Sequence, residues 1–478
     1  MGGAAAARRG WLAGLGPVAL AALAAADGRG DDGPAIDPLR PLAARRPHFT
    51  PRATRVIFLF MVGGPSQVDT FDHKPALQAL DGQPLPGSLR AAIAGSRFAN
   101  VLHGCTDRLL ASPYRWQRHG ESGTWVSELF PSIARHVDRL CFIHSLQADS
   151  NNHAPASYQA HTGDIRAGKA SLGAWTTYGL GSESADLPGY VVLFDAGPLG
   201  GAANYSHGFL PAAFQPTRLR DTGAPLPDLA PPEEFAAGQR DTLDLIRRLG
   251  IRHARQRPGL TELEARLASY ELAYRMQSSA LELGDVEAET PATLRAYGLD
   301  HADERTRAFG RKCLLARRLV ERGVRFVQLY DMPDKDGWDA HALLADNHTP
   351  RARWTDQPIA ALVSDLAARG LLDETLVVWA SEFGRTPLVQ GNGGRNHNAA
   401  GFTVWLAGGG VRPGQRIGAT DELGYMAIER PTPFADLHAT ILAALGLSND
   451  RLSFRAAGRD ERLTGVAGSA TVIPGVLG

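Results

Sequence analysis

The chain has 478 residues, with 50 Lys+Arg against 50 Asp+Glu, 44% hydrophobic and 21% charged residues. That balance excludes both a disordered chain and a polytopic membrane protein. Zero net charge gives no electrostatic basis for binding nucleic acid.

In chain order, Arg8-Arg9-Gly10-Trp11-Leu12 precedes an apolar run from Leu12 to Ala25, and Asp27 opens a polar stretch. A charged start, a short apolar run and a small-residue end match a secretory signal. The run is well short of the roughly 20 residues a membrane span needs. The arginine pair resembles a twin-arginine signal, which exports folded proteins; the alternative is a chance start in an arginine-rich chain. Residues 1–26 therefore read as a signal peptide, with cleavage near Ala24-Ala25-Ala26, and 27–53 as a linker. The expected location is exported, in the periplasm or outside the cell. Three cysteines (Cys105, Cys141, Cys313) are too few for a disulfide framework. Cys105 and Cys141 could pair, though the odd count favours free thiols.

Residues 55–62, Arg-Val-Ile-Phe-Leu-Phe-Met-Val, form a continuous apolar run that stops at Gly63-Gly64-Pro65-Ser66. Such a run predicts a strand covered on both faces, as in a parallel sheet flanked by helices. Similar runs recur at 140–143, 190–194, 324–330, 375–380 and 403–407, separated by helical patterns such as 127–138 and 355–370. The expected fold is α/β: a doubly wound, mostly parallel sheet with helices on both faces. Residues 233–323 are charged and helix-forming and read as a helical insertion. The α/β domain is expected over 54–450, followed by a C-terminal tail, 451–478.

In open α/β sheets ligands sit at the carboxyl ends of the strands. Four of the predicted strands end in acidic, imidazole or hydroxyl residues: Ser66, Asp69, Asp72 and His73; His144, Asp149 and His153; Asp331, Asp336, Asp339 and His341; Ser381, Glu382, Arg385 and His397. Carboxylates and imidazoles converging from several loops suit a divalent cation such as zinc, manganese or calcium. Singly each has a bland reading. Asp339 could cap a helix, Glu382 could pair with Arg385, and His397 could be a loop histidine.

Gly63-Gly64-Pro65-Ser66-Gln67-Val68-Asp69-Thr70-Phe71-Asp72, Gly337-Trp338-Asp339-Ala340-His341, Ser381-Glu382-Phe383-Gly384-Arg385 and Gly394-Arg395-Asn396-His397-Asn398 stand in order along residues 55–450. With them the chain resembles the family called domain of unknown function 1501, an outlying branch of the alkaline-phosphatase/sulfatase superfamily. The resemblance implies an alkaline-phosphatase-like core in which a Ser, Thr or formylglycine attacks phosphorus or sulfur beside one or two metals. Carried over, Asp339 and His341 match a ligand pair, Glu382 a ligand Asp, and His397 the late ligand His. Three departures stand out. Gly63-Gly64 occupy the place of a ligand Asp, so Asp69 or Asp72 would substitute. Phe383 replaces a ligand His, suggesting a single-metal or altered site. His153 stands where the nucleophile belongs, and no formylglycine motif surrounds any cysteine.

His153 reads as a metal ligand, a structural histidine or a nucleophile. Ser66 and Ser157 are fallback nucleophiles, Ser66 in a turn whose amides could also cradle an anion. Arg385 could clamp an oxyanion or form a structural ion pair. His438, inside a predicted helix from Phe434 to Leu445, reads as a helix-face or core residue. The leading expectation is an exported metal-dependent hydrolase of phosphate or sulfate esters. Its substrate would be a small ester or a sulfated or phosphorylated glycan, with no nucleic acid and no stable membrane span, and with association to the cell envelope. The alternative is a non-catalytic envelope or surface protein that keeps the fold and a structural or glycan-binding metal. A mutase or transferase is a third.

Overall fold

The computed structural model describes residues 36, 40–102, 104–194, 196–220, 233–257, 261–332 and 334–478. The signal-peptide expectation, 1–26, and the first part of the linker lie outside the described residues. The main sheet is built from β1 (Arg55–Met61), β2 (Leu140–Gln147), β3 (Tyr190–Leu193), β4 (Thr217–Leu219), β5 (Phe326–Asp331) and β6 (Thr375–Ala380). A hairpin of β7 (Gly384–Gln390) and β8 (Gly394–Asn398) follows, then β9 (Phe402–Ala407), β10 (Arg416–Ile417) and β11 (Thr432–Pro433). The main helices are α1 (His153–Thr162), α2 (Leu172–Leu180), α3 (Gln239–Arg255), α4 (Thr261–Gly284), α5 (Glu304–Glu321), α6 (Leu344–Ala368) and α7 (Phe434–Ala444).

The sheet runs β10-β2-β9-β6-β1-β5-β3-β4, with β11 also on β2. β1 pairs in parallel with both β5 and β6, whereas β9 is antiparallel to β2 and β6. Alternation along β1 explains why its sequence is apolar throughout. Val56, Phe58 and Phe60 enter one core layer, and Ile57, Leu59 and Met61 enter the other. A strand with helices on both faces has no solvent side to spare for polar residues. The protein is thus a mixed α/β domain with a central, mostly parallel sheet between helical layers.

Some boundaries differ from the sequence reading. The helical pattern at 127–138 becomes a strand end at Ser127 and a short 3-10 helix, Ile133–Arg139. Within 233–323, α5 is a crossover helix buried against the sheet, while α3 has no fully buried residue. Residues 451–478 pack back on the domain, with Leu452, Ile473 and Val476 buried. Part of the expected linker is also docked, through the Arg45 guanidinium donating to the Thr177 and Tyr178 carbonyls at 2.6 and 2.8 Å. All three cysteines are free, so Cys105 and Cys141 do not pair.

Behind the sheet, His161 on α1 and His438 on α7 are buried. Burial pushes both imidazoles down to about 4, only partly offset by bonds to the Ser157 and Ala160 carbonyls. The unfolded chain then takes up protons that the folded one refuses, so stability present above pH 6.5 is lost as pH falls toward 4. Each histidine contributes a slope of about 1.4 kcal/mol per pH unit in that window. Urea denaturation between pH 7 and 4.5 should show the loss, with a shallower slope in the His438→Gln protein.

Candidate metal centre

The site is assembled at the carboxyl ends of β1, β5 and β6. Where β1 ends, Gly63 and Gly64 have φ of 107° and 75°, a region side chains rarely adopt. A Cβ on Gly63 would lie 2.4 Å from the Trp338 nitrogen and 2.7 Å from that of Asp339. The loop after β5 thus occupies the ground that any side chain at position 63 would need. It is held there by Trp338 N–H donating to the Val62 carbonyl at 2.8 Å and Trp338 Nε1–H donating to Asp331 at 2.7 Å. Gly63→Ala is expected to destabilise the protein by at least ~2 kcal/mol through strain and contact. It should also lower metal content by displacing Asp339; chemical denaturation and elemental analysis check both.

Three imidazoles meet the Asp339 carboxylate. His153 Nε2 lies 3.2 Å from Oδ2, and His341 and His397 Nε2 lie 3.0 and 3.1 Å from Oδ1. His153, Asp339 and His397 each place a donor atom within 4.8 Å of the other two. The opposite nitrogen of every ring is already engaged. His153 Nδ1 meets Glu382 Oε1 at 2.6 Å, His397 Nδ1 meets the Asn151 carbonyl at 2.6 Å, and His341 Nδ1 meets Gln390 Oε1 at 2.5 Å. Each of these partners is an oxygen acceptor, so Nδ1 carries the hydrogen and Nε2 is the free position. Nitrogen lone pairs facing a carboxylate call for extra protons or one shared cation. Two ligands about 2.0–2.1 Å from a tetrahedral ion sit about 3.3 Å apart, close to the spacings found here. His153 Nε2 is moreover buried without a hydrogen-bond partner. The donor set fits a divalent cation held by His153, Asp339 and His397, with His341 at the rim.

Glu382 does not join that set. Its Oε1 accepts from Gly63 N–H at 2.9 Å as well as from His153, and Oε2 accepts from Ser381 Oγ–H at 3.0 Å. It stands behind His153 as an outer partner that fixes the ring, a carboxylate–histidine arrangement common at metal sites. Burial opposes charge on His153, but the Asp339 and Glu382 carboxylates at its two ring nitrogens outweigh this and hold its pKa up at about 9. Burial likewise opposes charge on Asp339, yet three imidazoles and the Arg385 guanidinium hold it far below the usual carboxylate range. Phe383, fully buried, lies 4.8 Å from the His153 ring and stacks at 4.5 Å on His397. It forms a buried aromatic wall against both rings.

The remaining candidates fall elsewhere. Asp69 is fully buried in a two-pronged pair with Arg395, at 2.7 and 3.2 Å, and does not reach the histidines. Asp72 pairs with Lys74 at 3.0 Å and accepts from Thr420. Neither substitutes for a first-strand ligand, because each is consumed by its own partner. Ser66 is fully buried and its hydroxyl donates to Asp69 at 2.5 Å, and Ser157 is also fully buried. Arg385 spends its donors on the carbonyls of Gly63, Gly64 and Arg395 and on Asp339. It pairs with Asp339, not Glu382, and four of its five N–H groups are spent inside the fold, which makes it a structural ion pair. His438 is buried on α7, donating to the Ala160 carbonyl at 2.9 Å.

Three contributors escaped the sequence reading. Arg395 and His397 share a hairpin strand, yet one points to Asp69 and the other to Asp339. A bulge between them breaks the alternation that would have put both on one face. His348, fully buried, accepts from Ser66 N–H at 3.0 Å and fixes that turn. Asn151 acts through its main chain, which no side-chain pattern reveals.

Solved structures that resemble the chain are distant. The lipoteichoic acid synthase LtaP from Listeria monocytogenes is 8% identical, covering 90% of this chain and 79% of that one, at a TM-score of 0.37. The PsFucS1 sulfatase from Pseudoalteromonas sp. is 12% identical over 86% and 74%, at 0.35. The phosphonate monoester hydrolase SpPMH from Silicibacter pomeroyi is 13% identical over 87% and 78%, at 0.33. A comparison with curated protein sequences gives no match. A family model matches residues 53–477, and the chain accordingly belongs to the family described as Protein of unknown function (DUF1501).

Proposed function

We propose that the protein is an exported, metal-dependent hydrolase of phosphate or sulfate esters. One observation carries the reading: the Nε2 atoms of His153 and His397 and the Asp339 carboxylate converge at ligand-to-ligand spacing. A divalent cation bound there would supply Lewis-acid polarisation of an ester oxygen and neutralise charge on the group being cleaved. The chain's own residues do the rest. Glu382 orients His153, Arg385 fixes Asp339, and Phe383 keeps water from the inner side of the site. His341, the most exposed of the three imidazoles with 42% of its side chain open, takes up a proton at Nε2 and, as the imidazolium, gives it to the departing oxygen. The substrate is a small ester or an ester group on a glycan, and the leading 26 residues direct export.

A second reading is favoured by a specific observation: Ser66 and Ser157 are fully buried, which leaves no accessible serine nucleophile among the candidates. On that reading the protein is a surface or envelope component whose metal is structural or holds a glycan. A panel of aryl phosphate and sulfate esters, assayed with zinc, manganese or calcium and with chelator, separates the two. Chelator-sensitive turnover supports the hydrolase. Bound metal that raises the melting temperature, without turnover of any ester, supports the second reading.

A further inference from the structure

Helices α3 and α4 form an arm that packs where the sheet begins, not where the candidate metal centre lies. Arg275 on α4 donates to the Ala185 carbonyl at 2.8 Å, and Ala265 and Leu272 line a cavity with Gly189 and Tyr190 at the start of β3. Gly63, Asp339 and Glu382 lie at the opposite end of the strands. The face of α3 turned to α4 is marked by Gly250, where a Cβ would meet Leu267 at 2.3 Å. Leu243, Ile246 and Ala254 share that face and are partly buried.

The outward face of α3 has a different composition. Leu245, Arg248, Leu249 and Arg252 recur at i, i+3, i+4 and i+7, which puts them on one stripe. Leu245 and Leu249 are 50% and 59% exposed. Arg255 and Arg257 continue the stripe's basic side toward the helix end, both exposed. Among the described residues, Arg248, Arg252, Arg255 and Arg257 have no ion-pair partner, while Arg240 is neutralised by Asp244 and Glu271. Asp241 is the acidic residue left on the exposed side. A solvated helix face has no use for two adjacent exposed leucines. Leucines set among unpaired arginines suit a surface that is apolar below and anionic above.

We propose that the α3 face docks the protein on an anionic lipid bilayer, with Leu245 and Leu249 entering the headgroup boundary and Arg248, Arg252 and Arg255 meeting lipid phosphates. Because the arm sits at the far end of the sheet, a docked molecule presents the candidate metal centre away from the bilayer, open to soluble or glycan-borne esters. The docking stands whether or not the site is catalytic, since its readout is partitioning, not turnover. The test is co-sedimentation of the full chain with vesicles of phosphatidylcholine alone and of phosphatidylcholine with 30–40% (roughly one lipid in three) phosphatidylglycerol. The expected result is at least ~10-fold stronger partitioning onto the anionic vesicles, weakened by 0.5 M salt (on the order of a 4 Å Debye length). Arg248→Glu with Arg252→Glu should abolish it, and Leu245→Ser with Leu249→Ser should weaken it at least ~5-fold. Circular dichroism confirms that these exposed substitutions leave the fold intact. Absence of binding to anionic vesicles overturns the proposal. So does binding that is insensitive to the leucine changes and equally displaced by soluble dextran sulfate, which would assign the face to an acidic polymer.

Discussion

The Asp339→Asn protein is expected to bind a divalent cation at least ~100-fold more weakly than the unaltered chain, beyond the 10–100-fold typical of losing an outer partner, and to lose with it the ester hydrolysis proposed above. Asp339 is the one group touching all three imidazoles, and it also balances the fully buried Arg385 at 2.6 Å. Removing its charge therefore does two things at once. It takes away the only carboxylate of the converging set, and it leaves a buried guanidinium uncompensated, which costs about 3–5 kcal/mol. Metal titration and chelated-state denaturation separate these effects. His397→Gln should lose the cation while keeping most of the chelated-state stability, because its ring bonds only to the Asn151 carbonyl and to Asp339. Glu382→Gln should fall between, weakening metal binding through a less firmly oriented His153.

Asp69→Ala is expected to do the reverse. Asp69 and Arg395 are both fully buried and bonded to each other, so truncating the carboxylate strands the arginine and costs about 3–5 kcal/mol. It also frees the Ser66 hydroxyl from its acceptor. Yet Asp69 does not reach the histidines, so the fraction of protein that remains folded should bind metal with affinity within ~2-fold of the unaltered chain. Urea midpoints and isothermal titration in the same preparation check the pair of outcomes. A large loss of metal affinity at unchanged stability would return Asp69 to the ligand set.

The contrast between these two aspartates shows what the sequence makes legible. The strands could be read because a sheet covered on both faces favours apolar residues on both sides of a strand, and β1, β5, β6 and β9 are apolar at most positions. The carboxyl ends of β2, β5 and β6 then named His153, Asp339, His341 and His397, and the structure brings all four into one place. What pattern does not reveal is which of two buried charges satisfies which. Asp69 and Glu382 have the composition of ligands, but Arg395 takes one and His153 the other. Arg385 has the composition of an oxyanion clamp, yet three main-chain carbonyls and Asp339 take four of its five donors. The pairings of Asp69 with Arg395, of Glu382 with His153 and of Arg385 with Gly63 and Gly64 each span more than 200 residues of sequence, set by the bulge in β8 and by the close approach of the 336–341 loop to Gly63. Neither has a signature in the local run of residues.

X-ray absorption on the full-length protein saturated with zinc tests the shared-cation claim most directly. The account predicts one zinc per chain, with two imidazole nitrogens and a carboxylate oxygen at about 2.0–2.2 Å, and loss of the bound zinc in His397→Gln. Zinc bound with cysteine sulfur or without histidine nitrogen, or no zinc retained at all, would contradict it.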